Sequence, residues 1–351
     1  MTLEPFTGFS LLPTHHCVTG SMRHVYAFHG CDVSEDLLLG LGEGVGFMYW
    51  HAKGQPPFLG GRASPRPSME AIAGQRTGVR IEAHSTSSTR RARQSMLALL
   101  EAAQPVMLQV DMGFLPYFDF GGEEYHFGGH AVVACGYDAQ SSQVLIAERD
   151  GVYPVAMPDL EKARGSTFKP FPPKNTWWTF DFAGFRLPTA AEIRLAIAGQ
   201  ATQMLEPPIR NMGVRGIRTA AERIPHWAGQ MTVDEIRWAL FNTYIFISPV
   251  GGSGGGCFRY MFGRFLGAAA QLTGDERLAE SAAEFKQIGD AWEAFAGWAK
   301  DVSEAPHPVA SLGDCADSLQ AIAGQEQGAW QRLQKISFEQ ETPCKTPIPS
   351  I

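Results

Sequence analysis

The sequence predicts an α+β domain followed by a mainly α-helical one. Two observations carry this. Helical and strand-like patterns mix up to about residue 165, whereas from Thr189 the chain reads as helices to about residue 300 and strand signals disappear. With 351 residues, 44% of them hydrophobic and 19% charged, the chain can bury a sizeable core and exceeds one typical domain.

The first helical face begins at Val18, with Met22, Val25 and Tyr26 at i+4, i+7 and i+8, so Cys17 falls in the first turn. Gly30 is a plausible C-cap, and Ser34-Glu35-Asp36 opens a second short helix with a cap and two acids at its positive end. GLGEGVGF leads into an extended segment from Val45 to Trp50, and the Pro- and Gly-rich residues 51–67 predict a loop. Ala92, Met96, Leu99, Leu100 and Ala103 share a face of a helix over Thr89–Ala103, whose other face carries Arg90, Arg91 and Arg93. VMLQV, HAVVACGY, VLIAE and VYPVAM then read as antiparallel strands joined by turns at DAQSSQ and RDG.

Four segments are expected: a first domain over 1–165, a connection with an edge strand near WWTFDF over 166–188, a helical domain over 189–335 and an extended tail over 336–351. Thr189 and Glu192 form a capping-box signature for the helical part. Glycines 251, 252, 254, 255 and 256 precede a strong helix. They read as a hinge or as bare N–H groups that could hold an anion beside Arg259.

A net charge of −7 argues against broad phosphate binding, so nucleic acid is not an expected partner. No run of about 18 apolar residues and no signal peptide pattern are found, so no membrane partner is expected and a cytoplasmic location is. The six cysteines, at 17, 31, 135, 257, 315 and 344, contain no CxxC pair; His15, His16, His24, His29 and Cys31 lack recognised ligand spacing. Neither a metal nor a cofactor is expected.

A thiol in the first turn of a helix meets the positive end of the dipole, which favours thiolate. It needs a histidine in reach and a group that orients the imidazole. The order Cys17, His130 at the start of a strand and an acid near 148 on the next one is that of papain-type architecture.

THHCVTGSMRHVYAFHGCDVSEDLLLGLGEGVGFMYW, PFLGGR, and PVMLQVDMGFLPY with HFGGHAVVACGYD together resemble the butirosin biosynthesis protein H-like family, relatives of papain-fold cysteine enzymes. GGHAVVACGYD is also similar to the histidine strand of bacteriocin-processing C39-type peptidases. The resemblance spans about residues 10–165, and the helical remainder resembles the companion domain often found with it. It implies a papain-like core, an N-terminal helix on an antiparallel sheet, with Cys17 as nucleophile and His130 as base. It also implies an acyltransferase that takes an acyl group from a carrier-protein thioester to an amine in specialised metabolism.

The chain departs from the family pattern twice. Glu148 stands where Asp is usual, with Asp150 as the substitute, and no Gln precedes the nucleophile, so His16 or Thr14 would have to help the Cys17 N–H hold an oxyanion. Asp111, and Tyr117 and Glu124 in the aromatic, acidic loop from Phe114 to Tyr125, are candidates to bind a cationic acceptor. The Arg90, Arg91, Arg93 face would suit an acidic acyl carrier protein. Homodimerisation is left open. Three readings stand at this point: amide-forming acyltransferase, papain-like peptidase or amidase, and a noncatalytic binding module.

Overall fold

His16 caps the first helix and Cys17 begins it, so the local signals at the N-terminus act as the sequence indicates. The computed structural model describes residues 3–52, 56–63, 65–122 and 124–338. In chain order the elements are α1 (Cys17–Phe28), α2 (Glu35–Leu41), β1 (Val45–Trp50), β2 (Phe58–Arg62), α3 (Met69–Arg76), β3 (Arg80–His84), α4 (Thr89–Glu101), β4 (Val106–Val110), β5 (His130–Asp138), β6 (Gln143–Ala147), β7 (Val152–Ala156), α5 (Met157–Gly165) and β8 (Trp177–Asp181). Helices α6 (Ala190–Leu205), α7 (Gly213–Arg223), α8 (Val233–Ile247), α9 (Arg259–Thr273), α10 (Glu276–Glu304) and α11 (Cys315–Phe338) complete it, with short 3-10 turns between. The fold class is α+β.

The described residues divide into two compact units: those within 3–42, 65–188 and 249–254 form the first, and those within 43–63, 189–248 and 255–338 the second. The first is built on a six-stranded antiparallel sheet of order β3-β8-β4-β5-β6-β7. Alternation along β5 sends its side chains to two cores. Val132 and Ala134 join Met96 and Leu100 of α4 and Leu160 and Ala163 of α5, while Val133 and Cys135 meet Val25 of α1 with Leu145 and Ala147.

Residues 166–188, expected as a connection with an edge strand, instead supply β8, which lies inside the sheet between β3 and β4. Trp177 and Trp178 are each 8% exposed there, and this burial outweighs the flanking prolines that suggest a connection.

Among the described residues the second unit is helical except for the β1–β2 hairpin, and β2 falls where the composition of residues 51–67 suggests only loop. The hairpin docks by backbone recognition: the Val45 N–H donates to Gln200 Oε1 at 2.9 Å, and the Tyr49 N–H to the Asn211 carbonyl at 2.9 Å. The Thr189 capping box is present on α6. Of the expected tail, residues 336–338 complete α11, and 339–351, with Cys344, lie outside the described residues. No helix among the described residues is long and apolar enough to cross a membrane.

Candidate active site

His130 opens β5, and the β5–β6 register, with Val133 opposite Ala147, brings Glu148 to the same end of the strand pair. His130 Nε2 lies 2.8 Å from Glu148 Oε1, and both residues are 6% exposed. Phe118 sets its ring edge to face against the imidazole at 5.7 Å. Because Nε2 is engaged by the carboxylate, Nδ1 is the ring nitrogen left to serve the Cys17 thiol, and the two groups act on each other's titration.

The electrostatics follow from these neighbours. Burial alone would raise the Cys17 thiol, but the charge of His16 and hydrogen bonds from His130 and His16 bring it well below the ordinary thiol value. Burial alone would lower His130, yet the Glu148 carboxylate and the hydrogen bond to Cys17 raise it to about 10. Both directions favour a thiolate beside an imidazolium.

The backbone before the nucleophile is held by an acid from the first turn of α2. Glu35, 3% exposed, accepts the His15 N–H at 2.8 Å, the His16 N–H at 2.6 Å and the Thr19 hydroxyl at 2.9 Å. Thr14 is half-buried against α1, where Gly20 leaves room for it: a Cβ on Gly20 would come within 2.8 Å of Thr14 Cβ and Oγ1. Thr14, Ser21, His24, Glu148 and Arg149 surround a space of about 10 Å³ beside Cys17, room for about one water molecule. Arg149 also ties the glycine-rich segment to this end of the domain, with Nη1 3.2 Å from the His15 carbonyl and Nη2 3.3 Å from that of Val250.

The other candidate residues are placed differently. Asp150 is exposed in the turn after Glu148, and it is Glu148 that meets His130 Nε2, so Asp150 is not the acid on His130. Asp111 is fully buried and structural: it accepts the Gly113 and Phe127 N–H groups at 3.1 Å each, contacts His126 Nδ1 at 3.0 Å and accepts the Ser166 hydroxyl at 2.6 Å. Its acceptor capacity is thus used within the protein. Glu124 is exposed, 3.4 Å from His126 Nε2. Tyr117, expected to face an acceptor, donates to Glu148 Oε1 at 2.9 Å.

Arg259 belongs to the second unit and is 0% exposed. Its Nε lies 2.6 Å from Glu326 Oε1, and its Nη1 donates to the Gly46 and Cys257 carbonyls at 2.8 and 2.6 Å. The Gly256 N–H, one of those expected to hold an anion, donates to Glu293 Oε2 at 2.8 Å. The protein's own carboxylates take the place of an external anion.

Among the described residues no group of three or more His, Cys, Asp or Glu side chains is placed to share a metal ion. A larger surface cleft of about 380 Å³, lined by His29, Arg80, Glu82 and Asp181, contains none of the candidate residues. Chemistry, not cleft size, marks the site.

Fold and site together define an α+β protein in which a helix-terminal cysteine meets a histidine backed by a buried glutamate. Residues 16–149 match the family model described as butirosin biosynthesis protein H, N-terminal, and residues 158–333 match one described as a domain of unknown function, DUF4872. The chain belongs to the butirosin biosynthesis protein H-like family. Its description names a biosynthesis protein, which points to an enzymatic role in biosynthesis. No curated protein matches the chain.

Proposed function

We propose that the protein is a cysteine-dependent acyltransferase that forms an acyl-enzyme from a thioester and passes the acyl group to an amine. The supporting observation is the 2.8 Å contact from His130 Nε2 to Glu148, which leaves the other ring nitrogen to serve Cys17. The Cys17 thiolate attacks the thioester carbonyl. The first N–H groups of a helix have no intrahelical acceptor, so the Cys17 N–H at the start of α1 serves as an oxyanion donor. His130 protonates the departing thiol, and as a neutral base it then accepts a proton from the attacking amine.

The donor is proposed to be borne by an acidic carrier protein. Arg90 and Arg91 are exposed on α4, whereas Arg93 lies 3.4 Å from Glu161 of its own domain, so the first two carry the attraction. Charge reversal at Arg90 and Arg91 should raise KM for a carrier-bound donor and leave a small thioester unaffected; equal loss with both donors removes the carrier.

The first test is limiting iodoacetamide at about pH 6, where an ordinary thiol is almost wholly protonated. Preferential label on Cys17, slowed by His130→Ala, supports an activated nucleophile. Label at Cys17 no faster than at the other cysteines of the folded protein favours a binding module.

A further inference from the structure

Arg149 follows Glu148 in the chain and shares with Cys17 the wall of the small space beside the nucleophile. Its Nη1 lies 3.2 Å from the His15 carbonyl and 3.5 Å from that of Pro249, and its Nη2 lies 3.3 Å from that of Val250. One guanidinium thus holds main-chain oxygens of two segments distant in sequence. The His15–His16 peptide is gripped at both polar ends, its oxygen by Arg149 and its N–H by Glu35 at 2.6 Å. The next peptide carries the Cys17 N–H, and only the φ and ψ of His16 separate the two planes. Gly252 packs against the same pair of groups: its φ is +86°, and a Cβ there would stand 3.2 Å from the His15 oxygen and 3.4 Å from Arg149 Nη1. Backbone conformation and close approach both call for glycine at this position.

We propose that Arg149 is a positioning residue for acyl transfer: it clamps residues 249–254 onto the chain entering Cys17 and so fixes the direction of the Cys17 N–H. This rests on the acyl-cysteine reading above, in which that N–H is the oxyanion donor. When the Cys17 thiolate adds to a thioester, a C–S bond forms and the carbonyl oxygen takes up the electron pair, so a misdirected N–H raises the barrier. Iodoacetamide reacts differently: the thiolate displaces iodide from carbon, no oxyanion forms, and only the thiolate is needed. The clamp therefore acts on acylation and not on alkylation. Arginine suits the task because two nitrogens of a rigid fork reach both segments at once, whereas lysine keeps the charge but offers a single point. The glycine-rich segment that precedes α9 thereby gains a role: its Gly252 is what lets the clamp close.

The test follows acylation of Cys17 in the full-length protein by S-acetyl-N-acetylcysteamine, using intact mass and peptide mapping, beside the rate of iodoacetamide labelling at about pH 6. Arg149→Lys should lower the acylation rate constant about tenfold, less than loss of a whole oxyanion donor costs, and leave labelling within about twofold of wild type. Gly252→Ala should show the same selective loss. The double variant should be no worse than the poorer single one, because both changes break one contact. Amide hydrogen exchange in peptides spanning 249–254 should quicken in Arg149→Lys, since the segment loses its fastening. Should Gly252→Ala fail to fold, Arg149→Lys decides by itself. Wild-type acylation by Arg149→Lys, equal loss of acylation and labelling, or additive losses in the double variant overturns the proposal and leaves the acyl-enzyme reading intact. Absence of any adduct on wild-type Cys17 overturns that reading and this one with it.

Discussion

Tyr117 donates a 2.9 Å hydrogen bond to Glu148 Oε1, the carboxylate oxygen that also meets His130. The tyrosine ring stacks on Tyr153 at 4.4 Å, so its hydroxyl is held in place. A glutamate has one more torsion than an aspartate, and this contact removes that freedom. Tyr117→Phe keeps the stack and loses the donor; unfolding in urea should show a loss of about 1.5 kcal/mol, the scale of a hydrogen bond to a charged group. Cys17 alkylation should slow by less than with His130→Ala. A variant as stable and reactive as wild type would show that the hydroxyl contributes nothing.

Glu148 acts on His130 in two ways, by charge and by orientation, and two variants separate them. Glu148→Gln retains an acceptor and should slow acylation about tenfold; Glu148→Ala retains neither and should cost about 10². The charge also sets a pH dependence. His130 is raised to about 10 in the folded protein, so its protonation stabilises the fold fully below the ordinary histidine value near 6.5. That contribution fades as pH rises through about 10. The stability difference between wild type and Glu148→Gln should therefore shrink between about pH 6.5 and pH 10 in urea titrations, and a difference constant over that range would contradict the assignment.

Local chemistry explains what could be read in advance. Cys17, His130 and Glu148 each sit at an element boundary, a helix start or a strand end, and such boundaries show in periodicity and capping residues. Glu35 could not be read this way. An acid in a first turn looks the same whether it faces water or, as here, hydrogen bonds to His15, His16 and Thr19 from 16 to 20 residues away. Arg259 misled for a related reason: its partner Glu326 is 67 residues distant, so the sequence shows a cation beside glycines and not a closed ion pair. The strand at WWTFDF and the extended segment from Val45 to Trp50 are legible, but the prolines before the first disguise its place inside the sheet, and the 155 residues separating Val45 from Gln200 hide what the second pairs and docks with.

In the second unit, Glu326 accepts from Arg259, from Trp292 Nε1 at 2.8 Å and from Trp330 Nε1 at 2.6 Å, all without solvent exposure. Removing one partner of such a pair leaves a buried charge uncompensated. Arg259→Met should cost about 3–5 kcal/mol. Tryptophan fluorescence during urea unfolding is the natural probe, since two of the reporting side chains lie on the carboxylate. A loss under about 1 kcal/mol, the range of an exposed pair, would mean the pair is not buried in solution.

Gly20 and Gly267 are both helical, and alanine should affect them in opposite directions. In α9, a Cβ on Gly267 meets nothing within 4 Å, so Gly267→Ala should stabilise by about 0.5–1 kcal/mol through reduced chain entropy. In α1, the Cβ of Gly20→Ala would stand 2.8 Å from Thr14 Cβ and Oγ1, closer than side chains approach. Either the helix or Thr14 must move, at a cost of about 1–3 kcal/mol that outweighs the helical preference for alanine. Thr14 borders the small space beside Cys17, so the displacement should also slow Cys17 alkylation, which Gly267→Ala leaves unchanged. Thermal unfolding and the pH 6 labelling rate, measured on both variants, test the two effects together. Stabilisation by Gly20→Ala would mean that Thr14 does not rest against the helix that presents the nucleophile.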